Sequence, residues 1–499
     1  MLVESLLKNA ADSPADLAVV DDHGNHTFAD LAALTLTIAH ALPKLPEPKT
    51  VGILLPPGAR GVAAFHGTLL SGNVVVPINY LLSVREIIHV IADAKVRVIL
   101  TTQLMIDKLA ELLPGAADAL KQATSAGIKI IDVSTLPPNP APITPPRVGP
   151  DDTAVIMYTS GTSSLPKGAI LSYGNLESDV DAAIAHIGFA RNHVFLGLIP
   201  LFHSFGMTAM MLVPARLAAR AVYLARFSPA GALQAIREHG ASIFLGVPSM
   251  FAAIGRLKNA SADDFRGMYV MASGGEPLPN AVRELFLTRF KISICEGYGL
   301  TETSPILSFN TPVDNEPGSV GRPIPGCVVR IAPDADGPPN AAGEGEIQVK
   351  GPMIFHGYYN NPAATRDAFT DDGFFRTGDL GKVDARGFLH ITGRLKDLII
   401  SSGEKCHPRE VEEILATHPS VAEVAVIGRK DATRGEVPVA FVVPHEGQAV
   451  DAQALKNFAR DRGLAQWKIP RDIYPSTSLP RSPTGKVLKR ELGKLLPAE

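Results

Sequence analysis

The chain has 499 residues, more than a single hydrophobic core supports, since cores stop growing near ~250–300 residues, so at least two domains are expected. Its 47 Lys and Arg against 50 Asp and Glu leave a formal charge of -3 with no long run of one sign, which argues against nucleic acid as a partner. Hydrophobic residues make up 46%, and the three cysteines stand apart without a C-x-x-C spacing, so the composition suits a globular protein of the reducing cytoplasm and points away from a disulfide framework or zinc site.

The opening MLVESLLKNAADSP lacks the basic start and small-residue cleavage site of a secretory signal, so export is not expected. From Leu17 to Leu100, β-branched runs (LAVV, TVGILLP, NVVVPI, VRVIL) alternate with amphipathic ones (FADLAALTLTIAHAL, VREIIHVIADA). Strand and helix in alternation predict a layered α/β domain with a largely parallel sheet. The two most apolar stretches, 62–82 and 205–224, are broken by His66, Asn73 and Pro77 and by Pro214, Arg216 and Arg220, short of a ~20-residue span. They predict buried helix and strand, and no transmembrane segment.

The proline-rich stretch Leu136 to Pro150 reads as an extended connector. After it the rhythm returns with TAVIMY, HVFLGLI, AVYL, SIFLG, MYVMAS and KISIC, separated by helices such as SPAGALQAIREHG and LPNAVRELFLTRF, which predicts a second sheet layer of similar build. Between Gly318 and Gly351, short strands with Gly and Pro turns predict a small β-rich subdomain. Beyond Lys396 come DLIIS, a helix at PREVEEILATH, strands VAEVAVIG and VPVAFVVP, a helix near Ala452 to Arg462 and a last helical segment from Lys486. That tail is long enough for a small α+β domain of its own. The expected fold is therefore α/β: a large N-terminal domain over 1–395 and a C-terminal domain over 396–499.

The segment YTSGTSSLPKGAI, Tyr158 to Ile170, follows the apolar run TAVIM and gathers Thr159, Ser160, Gly161, Thr162, Ser163, Ser164, Lys167 and Gly168. Hydroxyls and backbone amides donate to phosphate oxygens, glycine permits close approach and lysine adds charge, so the loop reads as a polyphosphate cradle. It is not a Walker A loop, because Lys167 precedes Gly168 and no hydroxyl follows.

This segment resembles the phosphate loop of the adenylate-forming superfamily, which includes acyl-CoA synthetases, peptide-synthetase adenylation domains and luciferases. Further motifs of that family follow in order: PLFHSFGM (Pro200 to Met207), ASGGEPL (Ala272 to Leu278), GYGLTETSP (Gly297 to Pro305), TGDLG (Thr377 to Gly381), GRLKDLIISSGEKCHPREVE (Gly393 to Glu412) and PRSPTGKVLKREL (Pro480 to Leu492). The resemblance implies an acid–thiol ligase using ATP, Mg²⁺ and coenzyme A, with a small carboxylic acid as partner, a mobile C-terminal domain and a homodimer left open.

Residue by residue, it implies that Tyr298, within Gly297–Gly299, stacks on adenine opposite Gly274, Gly275 and Glu276, with Glu296 near the exocyclic amine; a π-face suits that task. Thr301 would bond the α-phosphate and Glu302 would hold Mg²⁺, a hard cation suited to carboxylate and phosphate oxygens. Asp379 would accept from the ribose hydroxyls, supported by Arg394. Lys486 would bridge the substrate carboxylate and the α-phosphate, where the transition state gathers charge. Lys396 would be the hinge, and Gly403 and Glu404 would meet the pantetheine arm of coenzyme A.

His203 stands where the family often has a gate beside the acyl carbonyl. Cys406 has no activating base in sequence and is assigned no chemistry. An aspartate that pairs an amino-acid substrate is absent after Pro200, where Phe202, His203 and Ser204 follow. The apolar, methionine-rich segments Phe205 to Met211, Phe244 to Phe251 and Ile306 to Asn310 predict an acyl pocket for a medium- or long-chain fatty acid. If those residues are core packing, an aryl acid is the alternative, and a carrier-protein thiol is the alternative acceptor.

Overall fold

Capping boxes start two of the helices in the first hundred residues. Thr27 and Ser83 accept from the amides of Asp30 and Glu86, whose carboxylates reach back to the cap amides, opening the helices Phe28–Ala41 and Val84–Asp93. The computed structural model describes residues 2–125, 127–159, 165–333, 343–481 and 487–496. It divides into two compact units, one of Met1–Leu278, Val282–Val328 and Val349–Phe375, the other of Pro279–Ala281, Val329–Gln348 and Arg376–Glu499.

The first unit holds two sheets built from fifteen strands. They are β1 Leu17–Asp21, β2 Gly24–Thr27, β3 Thr50–Ile53, β4 Val74–Pro77, β5 Val98–Thr101, β6 Lys129–Asp132, β7 Thr153–Thr159, β8 Lys167–Ser172, β9 Val194–Gly197, β10 Arg220–Tyr223, β11 Ile243–Gly246, β12 Val270–Ser273, β13 Cys295–Gly299, β14 Ile306–Phe309 and β15 Arg322–Pro323. Six form a sheet in the order β6-β5-β3-β4-β7-β8, parallel except for the β7–β8 hairpin. Nine form the order β15-β14-β13-β12-β11-β9-β10-β1-β2, parallel from β1 to β13 and antiparallel at both ends. Strands β9, β11 and β12 are buried along their whole length, as helices on both faces of a parallel sheet require.

The α/β class stands, and three details of the sequence reading change. LAVV joins the nine-stranded sheet beside β10, while TAVIMY joins the first sheet beside β4. Crossover connections, rather than order along the chain, choose a strand's neighbours. LPKGAI is half of a hairpin rather than loop, pairing from Thr159↔Lys167 to Thr153↔Ser172. KISIC is not a strand: pairing with β12 begins only at Cys295, and Ile294 is apolar because it is packed in the core. Apolar alternation reports burial, which a chain can reach without ladder pairing.

The second unit holds the greater part of β16 Val328–Ala332, β17 Gly345–Lys350 and β18 Phe375–Val383, and all of β19 Leu389–Arg394, β20 Ile399–Ser401, β21 Glu404–Cys406, β22 Val421–Asp431, β23 Gly435–Pro444 and β24 Asp472–Pro475. A four-stranded sheet runs β16-β17-β18-β19, and a second runs β21-β20-β23-β22 with β24 beside β23. The helices Pro408–Leu415 and Ala452–Asp461 place Val411, Leu415, Leu455 and Ala459 against Val426, Ala440 and Val442. Lys396 lies within this unit, in the short turn Leu395–Asp397. No helix among the described residues is long and apolar enough to cross a membrane.

Candidate active site

Four parallel strands, β9, β11, β12 and β13, end side by side, and the motif residues begin where they stop. The crevice outside the carboxyl ends of strands is where open α/β sheets bind ligands. After β9 comes the His203 segment, after β12 Gly274, Gly275 and Glu276, and after β13 Thr301 and Glu302.

Close backbone packing explains the glycines. A Cβ on Gly299 would overlap the Pro305 carbonyl oxygen, and one on Gly297 would lie 2.5 Å from the Phe309 ring. Gly275 has φ +83°, which costs glycine little and strains other residues. Tyr298 is half-buried between Gly297 and Gly299, on the same face of β13 as Glu296 two residues earlier.

Glu296 is engaged within the protein. Its Oε1 accepts from the Leu278 amide at 3.1 Å and its Oε2 from Arg283 at 2.5 Å, with both side chains of the ion pair largely buried. The carboxylate therefore ties the Gly274–Leu278 segment to β13, a role the sequence reading did not give it.

The turn after β13 is held from beneath. Asp179 is fully buried in the helix Tyr173–Ile187, and its Oδ1 accepts from the Ile306 amide at 3.1 Å. Burial pushes its carboxyl well above the ordinary carboxylate range. The Thr208 hydroxyl donates to the Ser304 carbonyl at 2.8 Å. On the open side, the Ser204 and Thr301 hydroxyls lie 3.3 Å apart, and the Phe205 amide donates to Nδ1 of the partly buried His203 at 3.3 Å.

Glu302 is 9% exposed, its Oε1 accepting from the Tyr358 hydroxyl at 2.7 Å and its carbonyl from the Phe355 amide at 2.9 Å. Burial, together with the Glu302 charge, pushes the Tyr358 phenol far up, so it serves as a neutral donor. The Lys167 ammonium sits 5.2 Å from the centre of the Tyr358 ring. One residue before the end of β7, Tyr158 donates to Asp93 at 2.6 Å. Thr159 ends β7, whereas Ser160, Gly161, Thr162 and Ser163 lie outside the described residues.

In the second unit, Asp379 and Arg394 face each other across β18 and β19, with Arg394 Nε 2.6 Å from Asp379 Oδ1 and the carboxylate 2% exposed. Burial, with Arg394 close by, lowers the Lys396 ammonium from its usual range. Gly403 and Glu404 belong to the β20–β21 hairpin, whose two central residues Ser402 and Gly403 both have positive φ, as a two-residue type I′ turn requires. The thiol of Cys406 is buried and pushed up to about 12, which leaves it inert. Lys486 lies outside the described residues.

A magnesium ion carried on a triphosphate takes only one or two carboxylates from a protein. Glu302 fits that demand: it is a buried carboxylate on the loop after β13, and among the described residues no three His, Cys, Asp or Glu side chains converge into a site that would hold a metal alone. Tyr358, Arg283, Asp179 and Ser204 went unnoticed in sequence. Tyr358 is 56 residues from Glu302 and Asp179 is 127 from Ile306, so no local spacing links them.

The expected acyl-pocket segments are chiefly core. Met207, Met210 and Met211 are at most 2% exposed, and the rings of Phe244 and Phe251 lie 4.7 Å apart, tilted to each other, within an aromatic cluster that includes Phe286.

Comparison with known proteins gives matches along nearly the whole chain. The family of AMP-binding enzymes matches residues 6–359, and the AMP-binding enzyme C-terminal domain matches 410–486. A long-chain-fatty-acid–CoA ligase of Bacillus subtilis (strain 168) is 32% identical over 98% of this chain and 94% of its own. A feruloyl-CoA synthase of Amycolatopsis is 34% identical over 97% of each chain. Among solved structures, the o-succinylbenzoate CoA synthetase of Bacillus subtilis is 30% identical; its acyl-adenylate complex superposes with a TM-score of 0.85 over 98% of this chain and 97% of that one. Its complex with ATP and magnesium ion gives 0.84 over 98% and 99%.

Proposed function

The chain belongs to the AMP-binding enzyme family and is an ATP-dependent, AMP-forming acid–thiol ligase, and from that premise we propose that its acid is an aryl carboxylic acid and its acceptor coenzyme A. ATP and coenzyme A are the co-substrates of this chemistry, and magnesium is its cofactor. The observation that carries the aryl reading is the burial of Met207, Met210, Met211, Phe244 and Phe251 in the core, which leaves those side chains no share in lining a long acyl channel. Feruloyl and o-succinylbenzoate ligases among the similar proteins, 34% and 30% identical, lend it support, beside a fatty-acid ligase of comparable similarity at 32%.

In the first half-reaction a carboxylate oxygen of the acid attacks the α-phosphorus of ATP; the bond to the bridging oxygen breaks and pyrophosphate leaves. In the second, the thiolate of coenzyme A attacks the acyl carbonyl, the acyl–phosphate bond breaks and AMP leaves. Tyr298 offers its ring to adenine, with Gly274, Gly275 and Glu276 as the second wall. Thr301 donates its hydroxyl to an α-phosphate oxygen. Thr159, Ser160, Gly161, Thr162, Ser163 and Lys167 belong to the segment assigned to the outer phosphates, and Glu302 would hold magnesium, which neutralises phosphate charge when bound. Asp379 accepts from the ribose hydroxyls and Arg394 keeps it oriented. Lys486 supplies positive charge to the transition state, and its loss is expected to slow adenylation ~10²–10³-fold. Lys396 as pivot, Gly403 and Glu404 at the pantetheine and His203 beside the acyl carbonyl complete the proposal.

The test is kcat/KM for thioester formation across aryl, fatty and short sulfonated acids, with coenzyme A as acceptor. The reading expects the aryl acids to lead by at least tenfold; a lead for dodecanoate would reverse it in favour of a fatty acid.

A further inference from the structure

Beside β8 runs a segment with no assigned role. The Tyr359 amide donates to the Gly168 carbonyl at 2.7 Å, the Ile170 amide to the Gly357 carbonyl at 3.0 Å and the His356 amide to the Ile170 carbonyl at 3.2 Å, so residues 356–359 form an added edge on the outer arm of the phosphate hairpin. The Tyr358 amide is in turn fixed by the Thr365 hydroxyl at 2.9 Å. Its ring is packed edge-on against Phe355 at 5.0 Å, and its hydroxyl meets Glu302. One side chain thus touches Lys167 at the end of the hairpin with its face and the Glu302 carboxylate with its tip.

A carboxylate with one oxygen held by a neutral donor is fixed in orientation, and a hydrogen-bond donor behind a metal ligand sets metal affinity by orienting it. We infer that Tyr358 is a positioning residue: its hydroxyl holds Oε1 of Glu302 and so sets the orientation in which the carboxylate would meet the metal ion of bound ATP, while its ring registers the phosphate hairpin against the same carboxylate. The inference rests on the reading of Glu302 as the metal carboxylate.

The test is a cycle of Tyr358→Phe, Glu302→Gln and the double variant on the full chain, read as the ratio of ATP dissociation constants in EDTA and in Mn²⁺, with the Mn²⁺ resonance as an independent measure of bound metal. Phenylalanine keeps the ring over Lys167 and removes only the donor. Tyr358→Phe is expected to cut the Mn²⁺-dependent tightening about tenfold, with metal-free ATP affinity within twofold, and to add nothing in the Glu302→Gln background. Full tightening in Tyr358→Phe alongside its loss in Glu302→Gln overturns the inference while leaving the metal carboxylate in place. Equal losses in both backgrounds, or loss of metal-free ATP binding, assign Tyr358 a merely structural part and also overturn it. If Glu302→Gln itself keeps the full tightening, the reading of Glu302 fails, and the inference falls with it.

Discussion

Arg283→Met removes one partner of the ion pair that fastens the Gly274–Leu278 segment to β13. Arg283 and Glu296 are 14% and 9% exposed and 2.5 Å apart, so the variant leaves a buried carboxylate with the Leu278 amide as its remaining named partner. Breaking a buried pair costs ~3–5 kcal/mol, and the retained amide bond argues for the lower end, about 3 kcal/mol. That corresponds to roughly 100-fold faster opening of the segment. Amide hydrogen exchange of peptides spanning 270–278 reads this locally, since the Gly274 amide is bonded to the Gly246 carbonyl in every variant and a protein of two units does not unfold in one step. Adding Glu296→Leu removes the stranded charge, and with it the acceptor of the Leu278 amide, so it should restore protection at Gly274 only in part. Exchange unchanged in Arg283→Met, or slowed no further by the second substitution, would refute the claim that the pair is coupled and supports this wall.

Gly299→Ala forces a Cβ onto the Pro305 carbonyl, so the loop bearing Thr301 and Glu302 must shift; ATP-dependent adenylation should fall at least 100-fold with far-ultraviolet circular dichroism unchanged, and near-normal turnover would contradict the packing. Asp179 has a raised native pKa, so its contribution to stability is whole below the ordinary carboxylate range and is lost as pH rises from there through the raised value. The Tm of Asp179→Asn relative to the parent should therefore be more favourable at pH 8 than at pH 5, and a pH-independent difference would mean the acid is not held neutral. Burial raises Cys295, Cys327 and Cys406 to about 12 each, with Glu296, Asp179 and Glu410 respectively adding to it. A disulfide reagent at pH 8 should thus label less than one thiol per native chain and all three after denaturation.

Much of this was legible because it is local. The runs FADLAALTLTIAHAL and VREIIHVIADA announce helices by their apolar spacing, and the apolar runs HVFLGLI and SIFLG announce the strands Val194–Gly197 and Ile243–Gly246. The site motifs were legible for the same reason, each being one short contiguous stretch, whether it follows a strand, as Gly274–Glu276 follows β12, or lies within one, as Asp379 does in β18. What stayed hidden depends on distant pairing: which sheet takes β1, that Lys167 opens a strand, and that Glu296 turns to Arg283. The methionines from 207 to 211 mark the deeper limit, since an apolar side chain reads alike whether it packs a core or lines a pocket.

The most direct measurement is exchange of labelled pyrophosphate into ATP, with and without an aryl acid, for the parent and for Lys486→Ala. Reversible formation of an acyl-adenylate predicts exchange that requires the acid, needs no coenzyme A and drops ~10²–10³-fold in the variant. Exchange independent of the acid, or none with any acid while ATP still binds, would contradict it.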